Sequence, residues 1–242
     1  MSYFNGAKII TQNLSNYYDA GNLKSYVTGS TVWRNIIGGG LVSLPSLMAY
    51  QSSALNLQGN PAWTFPFNFT PNFTVELWYK TYTTGSAFTD QSKSPGIIQI
   101  GTYNGNGSLT LWDWSQGQAI GNHSIRSFIN NGATWTTSQG SSTTYSDPAW
   151  LDWHQIVMVF DGATKWDRYN LYIDKVPQFS YNFVGSSFPS SSIAGGNNIY
   201  ITGAAGGATN NDYAILRTYN YAMNLQDIIN NYNNTKGRFG LT

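Results

Sequence analysis

The sequence predicts an all-β fold, an antiparallel sandwich or barrel, with residues 1–242 in one domain finished by one short C-terminal α-helix. Three observations predict it. Apolar residues recur at every second position in short runs, and clusters of Gly, Asn, Ser and Pro cut those runs at close intervals. A single stretch near the end carries an apolar stripe at helical spacing. Nothing alternates helix with strand as a parallel sheet would.

The elements follow in chain order. Residues 7–11 and 32–37 give weak strand signals, and Tyr17, Tyr18 and Trp33 need a core to enter. Residues 73–80 form the clearest strand, with Phe73, Val75, Leu77 and Tyr79 on one face and Thr74, Glu76, Trp78 and Lys80 on the other. Further strands are expected at 97–100, 108–112, 125–129, 153–160, 169–173, 198–202 and 213–218. Turn signals separate them, such as Asn104-Gly105-Asn106-Gly107, Asn130-Asn131-Gly132 and Asp161-Gly162. The Ser/Thr-rich stretch 136–146 and the Gly/Ala segment 203–207 read as surface loops. The closing helix places Leu225, Ile228, Ile229 and Tyr232 on one stripe. Asn224 is its N-cap, Asp227 lies in its first turn, and Gly237 is offered as its left-handed end.

Composition narrows the function. Charged residues make up 10% and the net charge is +1, so no broad field exists to collect nucleic acid or an anionic membrane. With 41% hydrophobic and 16% aromatic residues, the chain has ample means to fold. The absence of cysteine removes disulfides, thiolate nucleophiles and Cys-ligated zinc. The opening MSYFNGAKIITQ shows no secretory signal pattern.

Several segments together resemble a known family. Tyr18-Asp19-Ala20-Gly21-Asn22 with Ser25-Tyr26 and Thr31-Val32-Trp33 is similar to the opening of concanavalin A-like, laminin-G-type domains of phage and other viral structural proteins. Phe73-Thr74-Val75-Glu76-Leu77-Trp78 resembles a core strand of that superfamily. Trp153 to Gly162 with Leu171-Tyr172-Ile173-Asp174 resembles its central hairpin, and Arg217 to Ile228 its strand-plus-helix ending. Two departures concern turns: Lys175 stands where the family's hairpin often has glycine, and Ile36-Ile37-Gly38-Gly39-Gly40 replaces the usual Gly/Asn repeat. The resemblance implies a two-sheet jelly roll with the helix packed outside it. A fold shared by lectins, hydrolases and capsid proteins does not by itself settle chemistry.

Catalytic patterns are missing. Of the eleven carboxylates, ten are Asp and one is Glu76, so the paired-carboxylate strand of jelly-roll glycosidases is not present and a polysaccharide hydrolase is disfavoured. His154 reads as a structural residue of a central strand, and His123 as a solvated loop histidine. No nucleophile elbow, zinc motif or phosphate loop appears. No cofactor is implied by the residues. The resemblance brings in one calcium at a loop rim, for which Asp90, Asp113 and Asp212 are the candidate carboxylates.

Aromatic residues carry the strongest ligand signal. Trp112, Asp113, Trp114, Trp135, Trp166, Asp167 and Arg168 form the candidate glycan or interface set. Trp and Tyr rings stack on the C–H face of a sugar, while Asp, Asn and Arg take its hydroxyls. Core packing and subunit contact are the alternatives for the same rings. Two functions follow. The first is a non-enzymatic structural or recognition subunit on the surface of a virus or phage particle (decoration, fibre or knob), assembled with itself or other virion proteins. The second is an extracellular carbohydrate-binding module or host-surface adhesin. Neither involves nucleic acid or membrane.

Overall fold

The computed structural model describes residues 9–44, 48–51, 53–59, 62–82, 96–101, 108–114, 122–130, 135–162, 168–182, 198–202 and 209–242. Its strands are β1 (Leu14–Asp19), β2 (Val32–Arg34), β3 (Leu41–Ser43), β4 (Met48–Gln51), β5 (Ala54–Gly59), β6 (Ala62–Pro66), β7 (Phe73–Thr81) and β8 (Gly96–Ile100). They continue as β9 (Ser108–Trp114), β10 (Asn122–Asn130), β11 (Trp135–Ser146), β12 (His154–Asp161), β13 (Arg168–Ile173), β14 (Val176–Asn182), β15 (Asn198–Thr202) and β16 (Thr209–Tyr219). One helical turn, α1 (Asp147–Trp150), precedes β12, and α2 (Leu225–Thr235) follows β16.

Two antiparallel sheets face each other. The eight-stranded sheet runs β14-β13-β12-β7-β16-β5-β4, with β1 also on β16; the six-stranded sheet runs β11-β10-β9-β8-β15-β6. Period-two alternation explains the layering. Phe73, Val75, Leu77 and Tyr79 of β7 enter the core with Ile156, Met158 and Phe160 of β12, and meet Ile98, Ile100, Leu109, Leu111 and Ile199 from the other sheet. At one end Tyr18, Trp33, Trp63 and Phe65 pack edge to face, with ring centroids 5.0–6.0 Å apart. The small β2–β3 hairpin is tied to this end by Trp33 and Val42.

Every strand expected between residues 73 and 218 is found, and the differences have physical reasons. Residues 136–146 belong to β11 and are not a loop: this edge strand pairs only with β10 within its sheet, so its Ser/Thr run lacks the apolar period that marks an inner strand. Residues 9–11 carry no strand, while 7–8 and the segment 203–207 lie outside the described residues. The helix begins as expected, with Asn224 accepting from the Asp227 N–H, and it buries Ile228 and Tyr232. Leu225 faces solvent instead, and Asn231 takes a buried place. The left-handed terminus falls to Gly240 (φ 74°) and not Gly237, because a 3-10 turn over Lys236–Phe239 extends the helix.

The Asp174-Lys175 hairpin adopts positive φ at both residues (49° and 65°), the geometry a two-residue turn between twisted strands requires. Local bonds hold it without glycine. The Asp174 carboxylate takes the Gln155 N–H at 2.9 Å and lies 2.6 Å from His154 Nδ1, and the Lys175 ammonium sits 4.7 Å from the Tyr232 ring centroid.

Candidate functional site

The outer face of the eight-stranded sheet divides into two zones. In the first, Trp78, Ala54 and Ile215 are covered by the C-terminal region: Phe239 stacks on Trp78 at 4.6 Å, Tyr232 at 5.8 Å, and Leu241 packs alongside. Beneath α2, Glu76 is wholly buried. It accepts from Arg217 Nη1 (2.9 Å), Gln155 Nε2 (2.9 Å), Trp78 Nε1 (3.2 Å), Asn231 Nδ2 (2.8 Å) and the Tyr219 hydroxyl (3.4 Å). The one glutamate of the chain is therefore an anchor for the helix and not a general acid.

One row further along the strands the surface turns polar. Asp212 of β16 stands between Lys80 of β7 and Asn56 of β5, so the three share the outward face. The Asn56 amide donates to Asp212 Oδ1 at 2.7 Å and to Asn210 Oδ1 at 2.8 Å. The Tyr82 hydroxyl donates to Asp212 Oδ2 at 2.6 Å, and the Tyr82 N–H bonds the Asn210 carbonyl. Burial, followed by this contact with Asp212, raises the Tyr82 phenol above its ordinary range. Asn56 and Asp212 form a buried floor, while Tyr82 (43% exposed) and Asn210 form an open rim. Lys80 lies 5.5 Å from the Tyr82 ring centroid. The Asn56 side-chain carbonyl oxygen is buried, with no hydrogen-bond partner among the described residues. An accessible ring beside a fixed, exposed amide is an arrangement that can take the apolar face and a hydroxyl of a sugar.

The residues singled out from sequence are placed differently. Trp112 is buried against Phe128 at 5.3 Å, on the face of β9 opposite the core, and Arg126 is its cross-strand neighbour. Trp114 pairs with Ser124 and Trp135 with Asn130 through the backbone; their side chains lie outside the described residues, as do Trp166, Asp167 and Asp90. Arg168 is exposed, 3.6 Å from Asp161. Asp113 points inward, as alternation between Trp112 and Trp114 demands. It sits 2.9 Å from His123 Nδ1 and accepts from the Trp150 indole at 2.8 Å.

His123 is consequently a buried strand residue, unlike the solvated loop histidine expected. His154 stacks on Trp150 at 4.3 Å and is fixed between Asp174 and the Ala149 carbonyl. A calcium site does not fit Asp113 or Asp212, since each carboxylate is enclosed and engaged by side-chain donors instead of standing at a loop rim. Among the described residues no group of three metal-ligating side chains forms. The Asn56–Tyr82–Asn210–Asp212 cluster was not anticipated. Its members lie up to 156 positions apart, and only strand register joins them.

No family model and no curated protein sequence matches the chain. Solved structures do. The Trypanosoma rangeli sialidase in complex with sialic acid matches with a TM-score of 0.65 and 15% identity, over 96% of this chain and 34% of that one. The botulinum neurotoxin type G receptor binding domain matches with a TM-score of 0.62 and 13% identity, over 92% and 51%. A structure titled for the entry of botulinum neurotoxin type C into cells, dependent upon interaction with two ganglioside molecules, gives 0.64 and 10%, over 91% and 51%. The chain thus spans between about a third and a half of these proteins. At such identities the likeness concerns the fold alone, and none of these matches brings a link to virus particles. Architecture and comparison together show an all-β, two-sheet antiparallel sandwich with one C-terminal helix, a fold that matches the concanavalin A-like sandwiches.

Proposed function

We propose that this chain is a glycan-recognition module that binds carbohydrate without transforming it. The observation that carries the proposal is the polar row on the eight-stranded sheet: the exposed Tyr82 ring beside the exposed Asn210 amide, each held from beneath by a bond to buried Asp212 or Asn56. Two further points support it. The matched structures include a sialidase in complex with sialic acid and a toxin whose entry depends upon gangliosides. The carboxylates of Asp19, Glu76, Asp113, Asp174 and Asp212 are each held by structural donors, which suits a fixed recognition surface better than acid–base chemistry. Of the two roles expected from sequence, the virion subunit has no support among the matched structures, whereas glycan binding does.

A glycan array followed by titration calorimetry tests the reading. Tyr82→Ala removes the stacking ring and Asn210→Ala a rim amide; both sites are exposed, and an unchanged melting curve checks the fold of each variant. Each is expected to weaken binding about tenfold or more, the effect of losing a hydrogen bond to an otherwise desolvated partner. Failure to bind any glycan, or binding unchanged in both variants, refutes the proposal.

A further inference from the structure

Four of the seven large apolar side chains exposed among the described residues lie within one short stretch: Leu23 (81%), Val27 (57%), Ile37 (52%) and Leu41 (52%). Backbone bonds bring their segments together. The Arg34 N–H donates to the Ser25 carbonyl at 2.8 Å, which seats the 22–26 turn, with Leu23 and Lys24, along the free edge of β2. On the other edge Leu41 is the direct cross-strand partner of Arg34. The loop joining the two strands is closed by the Asn35 N–H on the Gly40 carbonyl and carries Ile37 at its tip. Trp33 and Val42 point the opposite way into the core, so the hairpin is anchored while its aliphatic side faces out.

Within this stretch of the chain the charge has one sign. Between Asp19 and Glu76 the chain has no acidic residue, and its only ionised side chains there are Lys24 and Arg34. Both are exposed, and neither makes an ion pair among the described residues. The two flanking acids are already engaged, Asp19 by Arg238 and Glu76 by Arg217. The whole-chain charge of +1 conceals this local asymmetry.

We infer that the β2–β3 hairpin and the 22–26 turn form a docking surface for an anionic lipid bilayer, with the aliphatic tips entering the headgroup boundary and Lys24 and Arg34 meeting lipid phosphates and carboxylates. Aliphatic side chains carried on separate protruding turns suit a fluid phase that closes around them. The same patch lacks the exposed aromatic anchors that dominate protein interfaces. A second copy of the chain is disfavoured, because a two-fold contact would press Lys24 and Arg34 against their own equivalents with no acid to receive them.

The test is flotation of the intact chain with phosphatidylcholine vesicles, with and without phosphatidylserine; neither contains glycolipid, so the result is independent of the glycan reading. The expected result is partition to the phosphatidylserine vesicles that weakens with added salt. Removing a cation near the surface should cost about fivefold, and Leu23→Ser with Ile37→Ser should cost at least about tenfold. All four side chains are exposed, and an unchanged melting curve confirms folding in each variant. No flotation, or flotation indifferent to both the Lys24→Gln/Arg34→Gln and Leu23→Ser/Ile37→Ser variants, overturns the inference. So does a concentration-dependent dimer abolished by Leu23→Ser/Ile37→Ser in a chain that ignores vesicles.

Discussion

Replacing Glu76 by Gln probes the bond system that fastens α2 to the eight-stranded sheet. The carboxylate is fully buried and takes five donors, among them the equally buried Arg217 guanidinium at 2.9 Å. Burial alone would lower the Arg217 pKa, but the Glu76 charge together with Tyr219 and Tyr17 outweighs it and the net shift is upward. Glu76→Gln leaves that cation without its counter-charge and turns an amide N–H₂ toward groups that themselves donate. Breaking a buried pair from one side costs about 3–5 kcal/mol, a large part of the roughly 5–15 kcal/mol that holds a domain together. With a urea m-value of about 3 kcal/mol/M, the unfolding midpoint should fall by roughly 1–2 M. Equilibrium urea denaturation, followed by near-ultraviolet circular dichroism, measures it. The double variant Glu76→Leu/Arg217→Met removes both charges and should recover at least about half of the loss, since replacing a whole buried pair by apolar groups is often close to neutral. A loss below about 1 kcal/mol in Glu76→Gln, or a double variant as unstable as the sum of the singles, would refute the reasoning.

Two further outcomes are expected. Burial raises a set of tyrosines, with Tyr18 pushed up to about 12 and Tyr79, Tyr169, Tyr213 and Tyr219 raised further, above the ordinary value of 10.0. The fold favours their neutral phenols, so stability is full below pH 10 and falls as pH rises through the folded values, where the unfolded chain releases protons that the native chain retains. Tyrosinate absorbance should therefore appear as a cooperative step coincident with loss of circular dichroism, and gradual titration of all tyrosines on a persistently folded chain would contradict this. At Gly21 an added Cβ would lie 2.3 Å from Arg238 Nη2 and 2.9 Å from Ser53 Cβ. Gly21→Ala should displace the Arg238–Asp19 pair and cost about 1–3 kcal/mol, read as a lower melting temperature and faster proteolysis near Arg238.

Much of the fold was legible because its signal is local. The alternation in 73–80 assigned each side chain of β7 to its face, and Asn224 announced the start of α2. Where local signal was absent, the reading failed: β11 gains its strand state from pairing with β10, and Gly237 lost its expected role because Lys236–Phe239 winds on toward Gly240. The inward position of Asp113 was recoverable, since placing Trp112 and Trp114 on one face already turned it to the other. The candidate site was not recoverable. Asn56, Tyr82 and Asp212 look like scattered polar residues until β5, β16 and β7 fix their register, and Tyr82 gains its importance from a carboxylate 130 positions away.

The place of β16 in the sheet governs how the chain is made. It bonds to β7 along one side and to both β5 and β1 along the other, and the Ile10 N–H is then received by Asn231 of the helix that follows. On a ribosome the middle of the sheet would thus emerge after its flanks. Segments synthesised early must wait, with unsaturated strand borders, until residues beyond 209 leave the exit tunnel, so final assembly is a late event.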